Sequence, residues 1–582
     1  MPGPEHRPEP RDMIADSIEQ GKRLIRIGGD KGLSLAERLA ERLNRLAWRT
    51  PLHGLRLQGK EPLKLLAVPD DPLLGDAARG QALLGGRIEL LGEGREIAAV
   101  NFARPDWSPR FGAYLHSFAW LRDLSTVTTR AVGAPIAEHL ARGWLASHSS
   151  TVAEPAWRPD LLGRRMLFWT AHAPLILSST DLAYRAKLLA AMARGARHLD
   201  RGADKAPPGV ARIAAWCGVV SAGLLIAGGE TRQQAGEAGL ARAIAGAIYG
   251  DGGNVQRAPA AQVDIIMLLA MLREAYAARR LDPPAIIGDT LALMVPALLA
   301  LMHGDKALSS WQGAGPMEAE TLANVITASG VRTRPLKHAR DWGYHRLASG
   351  STVLVFDAAP PPVARLADGG CASTLAFELS DGPHRLIVNC GGASSVTARL
   401  PHKLAQGLRT TAAHSTLVMG DSNSTAIHAD GTLGRGVGAV ELSRQESETM
   451  SRIEANHDGY ARRFGFLHRR QLILSADGRE LRGEDMLLPS GRRAKAATTP
   501  FAVRFHLGAG VEASPTADGQ AAVLRLPGGA LWQFRCKGGA MAVEESLWIA
   551  GDGRPVATQQ LVVSATAAAG GANVSWALKR AR

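Results

Sequence analysis

Two side chains capable of proton transfer stand three residues apart in the string NHDGY: His457 and Tyr460. The Asp458-Gly459 pair between them favours a turn, which would present imidazole and phenol together. A tyrosine can act as general acid or base when a neighbouring cation lowers its pKa, and Arg462 and Arg463 follow directly. The competing expectation is a phenol packed under a hairpin, its hydroxyl bonded to backbone. Arg257 follows the loop Asp251-Gly252-Gly253-Asn254 and can grip a carboxylate through two parallel N–H donors. It suits a surface helix start equally well. Trp107 and Trp120 flank an aromatic-rich stretch with His116 and Arg122. Indole faces stack on sugar rings, although tryptophans in helical arrays are usually core.

Other chemistries are excluded by spacing. The four cysteines contain no CxxC pair, so neither a disulfide scaffold nor a zinc knuckle is expected. The glycine loop GDGGN lacks the GxGxxG spacing and follows a helical pattern, and no GxxxxGK[ST] or GxSxG string occurs. A nucleotide site and a hydrolase elbow are therefore not supported.

Lys and Arg number 68 against 54 Asp and Glu, a net charge of +14. That balance favours a polyanionic partner: nucleic acid, anionic lipid or acidic polysaccharide. No RNP-like string, helix-turn-helix spacing or KH loop supports nucleic acid. The composition, 46% hydrophobic and 21% charged, is globular. The first residues, MPGPEHRPEPRDMIADSIEQGKRL, carry charges where a signal peptide needs an apolar run, so a cytoplasmic location is expected from sequence. Ile213 to Gly229 is apolar or small throughout but includes four glycines and a serine; it reads as a buried helix, and no transmembrane segment is expected.

The elements that must position these residues divide by period. From about residue 13 to 310 the apolar period is helical: Met13–Ile27, Leu33–Trp48 with Ser34 as N-cap, Pro135–Ser147, Leu182–Leu199, Gln234–Ile248, Ala261–Arg279 and Thr290–His303. A short hairpin (Arg87–Leu91, Glu96–Val100) interrupts it. No fixed-length repeat appears, so paired helices in an array or toroid are expected rather than a solenoid. After about residue 335 the period is two, in Ser351–Asp357, His384–Asn389, His468–Ser475 and Phe501–Leu507, with a hairpin of Ala521–Leu526 and Leu531–Arg535. Asp477-Gly478 and Gly551-Asp552-Gly553 supply turns, and Ala565–Ala572 reads as a loop before a last strand. The expectation is a helical domain over 1–335 and an antiparallel β-sandwich over 336–582, joined through Trp311–His338.

The local strings carry a family resemblance. Residues 342–357 read WGYHRLASGSTVLVFD, 375–392 LAFELSDGPHRLIVNCGG, 409–421 RTTAAHSTLVMGD, 454–470 EANHDGYARRFGFLHRR and 477–485 DGRELRGED. LHSFAWLRDL (115–124), GWLASH (143–148) and YGDGGNVQRAP (249–259) add to them in the helical half. The chain resembles the heparinase II/III-like family over most of its length. The resemblance implies an α/α toroid followed by a β-sandwich. It implies a polysaccharide lyase acting on an acidic, uronate-bearing glycan by β-elimination.

That reaction removes the C5 proton beside a carboxylate and protonates the leaving oxygen at C4. The carboxylate must be neutralised as the enolate forms, and a His or Tyr base and a Tyr acid must reach the two atoms. The resemblance implies a site shared by toroid and sandwich. It points to His414, in RTTAAHSTL, as a catalytic residue with Tyr460 and His457, and leaves His148 and Arg257 to hold substrate with Trp107 and Trp120. Some relatives hold a structural zinc in the sandwich. Here Asn389 stands where they place an Asp, and GGCAS (369–373) where they carry histidine, so no metal or other cofactor is expected. Asn389 reads as a cap of the Gly391-Gly392 turn. The relatives' Asn/His pair on a toroid helix has no counterpart in AAWCGVVSAGLL. These departures leave a second function open: a catalytically weakened glycan-binding or cell-envelope protein on the same scaffold. The resemblance also implies a periplasmic or envelope location, against the absence of a signal.

Overall fold

A computed structural model of the chain describes residues 22–26, 39, 43, 46–48, 50–59, 64–337, 339–363, 366, 369–394, 400–491 and 498–581. The helical stretch comprises Ala77–Leu84, Pro109–Ser117, Trp120–Val127, Arg130–His148, Pro159–Ala171, Leu182–Gly202, Val210–Leu225, Glu230–Ala245, Pro259–Ala278, Ala285–Ala300 and Ala319–Ser329. Side-chain caps start several of them: Asp76, Ser108 and Asp181 each accept from a backbone N–H three residues on. Val210–Leu225 packs against both Pro159–Ala171 and Glu230–Ala245. Its glycines explain the apolar run. A Cβ on Gly163 would lie 2.1 Å from the Ala214 carbonyl oxygen, and one on Gly218 2.4 Å from Gly163 Cα. Two backbones cross there with no room for a side chain. Among the described residues no helix is long and apolar enough to cross a membrane.

Apart from the hairpin of Arg87–Leu90 and Glu93–Glu96, the strands build two antiparallel sheets face to face. One has the spatial order Lys22–Arg26, Ala439–Glu446, Met450–His457, Phe466–Ser475, Glu480–Pro489, Ala572–Arg580, Leu531–Lys537, Ala521–Arg525, Glu512–Pro515. The other runs Ala540–Ile549, Pro555–Ala568, Thr498–Leu507, His384–Val388, Phe377–Asp381, Thr352–Asp357, Tyr344–Ser349, with Leu417–Met419 also paired to Thr498–Leu507. Alternation is strict in Phe466–Ser475, where every second residue is buried. The sandwich core includes Phe377, Phe505, Phe534 and Trp576. A separate apolar core fills the helical array and continues into Trp342, Tyr344 and Val355, so the first strands are packed onto the helices.

Several expectations change. The hairpin's second strand is Glu93–Glu96 and not Glu96–Val100, because Ile97–Ala99 coils into a short turn. Within Met13–Ile27, residues Lys22–Arg26 form a strand, Lys22 opposite Ser443 and Arg26 opposite Ala439. KRLIR places two adjacent apolar residues between charges, and a window that short fits either period. This strand joins the sheet of the second half, so the chain does not divide cleanly at residue 335. The Leu33–Trp48 helix lies largely outside the described residues, with residues 46–48 helical. The helix expected from Pro135 begins at Arg130, with Pro135 inside it. The expected joint Trp311–His338 contains the helix Ala319–Ser329. Ala565–Ala568 extends a strand, and the chain turns through Gly570-Gly571.

Candidate functional site

His414 follows the short turn Thr411–Ala413 where the sandwich meets the helical array. Its Nδ1 lies 2.7 Å from the Thr410 carbonyl oxygen, so Nδ1–H donates there and the lone pair belongs to Nε2. Burial is the main cause lowering its pKa, which keeps the ring neutral. Ser415 beside it donates its N–H to Asn389 Oδ1 (3.0 Å) and its hydroxyl to the Val388 carbonyl (2.7 Å). Asn389 Nδ2 in turn donates to Glu378 Oε1 at 3.1 Å. Asn389 is thus structural, as expected, but it ties Ser415 to Glu378 rather than capping the glycine turn. Glu378 also accepts from the Ser310 and Asn389 backbone N–H groups and from Arg385 Nη1, with His303 Nε2 at 3.1 Å. Arg385 is paired with Asp305 as well. The linker and the sandwich are locked together by this buried network.

Arg257 is engaged within the protein. Its Nε donates to the Trp342 carbonyl (2.8 Å), Nη1 to the Pro360 carbonyl (2.8 Å) and Nη2 to Asp357 Oδ1 (2.5 Å). Its guanidinium lies 4.7 Å from the Tyr344 ring centroid, and the Tyr344 hydroxyl donates to the Arg257 carbonyl. At 3% exposure it anchors one half of the chain to the other, so the expected grip on a substrate carboxylate is replaced by a grip on Asp357. Asp357 Oδ2 accepts from Ser373, whose hydroxyl accepts from Gln312 Nε2.

Tyr460 and His457 do come together, with ring centroids 5.5 Å apart, but inside the sandwich. Each is 1% exposed. The Tyr460 hydroxyl donates to the Leu417 carbonyl at 2.8 Å, and burial raises its pKa. His457 Nδ1 accepts from the Gly459 N–H, which makes His457 Nε2 a donor to His468 Nδ1 at 3.3 Å. His468 Nε2–H then donates to Asp485 Oδ1 at 2.8 Å, and Arg470 and Trp576 complete that carboxylate's partners. Every proton in this chain is assigned by its neighbour, and both imidazoles are neutral. The packed-phenol alternative describes Tyr460. Replacing it by Phe is expected to lower stability by about 1 kcal/mol, the worth of one internal hydrogen bond, as read from urea unfolding.

Trp120 is fully buried and belongs to the helical core, its ring against Phe118, which in turn meets Trp144. Trp107 is half-buried and shares a nest of rings with Phe102 and His116. His148 joins the same nest, 5.2 Å from His116 and 5.5 Å from Trp144 between ring centroids. The structure therefore gathers Trp107 with His148, and Tyr460 with His457, in separate places.

Cys371, Asn389 and His414 lie in the region where some relatives hold a structural zinc. The Cys371 thiol donates to the Gly369 carbonyl and burial pushes its pKa up to about 12, so it is a poor thiolate ligand. The Asn389 amide is engaged on both sides, which leaves His414, through Nε2, as a single good ligand. Among the described residues no three His, Cys, Asp or Glu side chains gather as metal ligands. These residues do not fit a zinc.

Residues 331–577 match the family model described as heparinase II/III-like, C-terminal. Over 508 residues the chain is 30% identical to FtsZ-localized protein C of Caulobacter vibrioides, covering 83% of this chain and 84% of that protein. The chain belongs to the heparinase II/III-like family. Among solved members of the fold, heparinase III superposes with a TM-score of 0.69 at 13% identity, over 96% of this chain and 93% of that one. Heparan sulfate lyase HepC from Pedobacter heparinus gives 0.57 at 16% identity, over 86% and 82%. The toroid-plus-sandwich architecture of heparinase-like proteins is therefore that of this chain. Glu378, Asp357, Arg385 and His303 were missed in the sequence because nothing local distinguishes a buried junction charge from a surface one.

Proposed function

We propose that this heparinase II/III-like protein binds an acidic, uronate-bearing glycan on a lyase scaffold whose proton-transfer set is reduced, and that it serves the cell envelope rather than depolymerising glycan. The observation that carries this reading is the engagement of Tyr460 and Arg257 in internal bonds. β-Elimination needs a base, an acid and a carboxylate neutraliser at one place. Of the residues brought forward for that chemistry, His414 keeps a ring nitrogen, Nε2, with no hydrogen bond among the described residues. An imidazole of that kind can accept a sugar hydroxyl. No zinc takes part in this reading.

The net charge of +14 supports a polyanionic partner. The name of the Caulobacter relative, FtsZ-localized protein C, supports a role where FtsZ is localised. Retention on heparan sulfate, chondroitin sulfate, alginate and bacterial exopolysaccharide columns tests the binding. The expected result is retention of at least one glycan that falls steeply with salt. His414→Ala is expected to weaken it about tenfold, the worth of one hydrogen bond. Absence of retention at low salt on all four would contradict the reading. The free Nε2 of His414 favours a second reading, residual lyase activity with His414 as base.

A further inference from the structure

We infer that Arg165 holds a small monovalent anion, chloride in the cell, inside the wall of the helical array. Arg165 lies on the Pro159–Ala171 helix and is 0% exposed. Its Nη1 donates to the His116 and Ala156 carbonyls, at 2.9 and 2.8 Å. Its face lies 4.3 Å from the Trp144 ring centroid and 5.3 Å from that of Trp169. The other edge of the guanidinium, Nε and Nη2, is buried with no hydrogen-bond partner among the described residues. Two further nitrogens around the same indoles share that condition: Trp169 Nε1 and His148 Nε2.

The electrostatics point the same way. Arg470, the other arginine of the described chain with 0% exposure, has the carboxylate of Asp485, and Arg257, at 3%, has Asp357. Arg165 has none, and burial alone acts on its pKa, bringing it down to about 9. At neutral pH it is still a cation. The titratable groups that face it are imidazoles: burial first, with the Arg165 charge adding to it, holds His116 down to about 3 and His148 to about 4, and burial likewise lowers His198, on which Arg165 also acts. All three are neutral there. A buried cation without a counter-charge is costly, and two neutral carbonyls and an indole face offset only part of that cost. The Nε–Nη2 edge is the geometry on which guanidinium takes an anion with two parallel donors. A water molecule can accept those hydrogen bonds but leaves the charge uncompensated. The apolar aromatic lining favours a weakly hydrated monovalent ion over sulfate or phosphate.

Thermal unfolding of the full chain at fixed ionic strength, in sodium chloride, bromide or gluconate, tests the inference. The expected result is a saturable rise in Tm with chloride and bromide over gluconate, because an ion bound to the folded state stabilises it. Arg165→Met is expected to abolish that difference. Equal melting in halide and gluconate, or a halide effect that survives in Arg165→Met, would overturn it. Should Arg165→Met not fold, bromide-soaked crystals of the unaltered protein decide by anomalous diffraction. A bromide peak within hydrogen-bond distance of Nε and Nη2 supports the site. Water alone at that edge, or an adventitious ion only, elsewhere on the surface, overturns it.

Discussion

Lowering the pH from 7 to about 4.5 is expected to unfold the protein. Burial holds the imidazoles of His116, His198 and His506 down to about 3, against an ordinary value of 6.5. His198 is enclosed by His53, Trp157 and Trp48, and His506 is held by Ser546 and the Ala412 carbonyl. Because the folded pKa lies below the unfolded one, the unfolded chain binds more protons between the two values. The stability these groups contribute is complete above about pH 6.5 and is lost as pH falls. Each pH unit below that point costs about 1.4 kcal/mol per histidine, so two units across three histidines cost roughly 8 kcal/mol. That is comparable to the whole stability of a typical domain. The depressed carboxylates of Asp71, Asp305 and Asp485 add to the loss in the same direction at lower pH. Ellipticity followed against pH should show a midpoint well above that of carboxylate titration. His198→Gln, which stays neutral, should move it to lower pH. An unchanged native signal down to pH 4 would contradict the burial of these rings.

Arg257→Met is expected to lower stability by about 3–5 kcal/mol. The substitution leaves Asp357, which is 0% exposed, as an uncompensated charge and removes the donors to the Trp342 and Pro360 carbonyls. Arg257→Met combined with Asp357→Leu should recover part of the loss, because the stranded carboxylate is gone. Urea unfolding of the two variants measures it. A single variant with the unaltered midpoint would show that the junction does not depend on this pair.

The sequence was most readable where chemistry repeats. Phe501, Val503, Phe505 and Leu507 alternate, and they are buried on one face of a strand. The glycines and serine of Ile213–Gly229 marked the apolar run as a buried helix, and the fold shows why they are small: Gly218 meets the backbone of Gly163 and Gly223 that of Gln233. Legibility failed where a residue's role depends on a partner far along the chain. Arg257 meets Asp357 across 100 positions, and nothing in NVQRAP names that partner. NHDGY did predict that His457 and Tyr460 come together. It could not say on which face of the sheet, since one register step decides between core and cleft. Asn389 was identified as structural from its poor fit to a metal, while its partners Glu378 and Ser415 required the fold.

The most direct test of the reduced proton-transfer set is optical. β-Elimination creates a C4–C5 double bond conjugated to the uronate carboxylate, which absorbs in the ultraviolet. The protein is incubated with heparan sulfate, chondroitin sulfate, alginate and bacterial exopolysaccharide, and absorbance is followed with the unaltered chain and His414→Ala in parallel. A flat trace on every glycan, including one that the protein retains on a column, is the predicted result. A rising trace that disappears in His414→Ala would contradict it and establish an active lyase with His414 as its base.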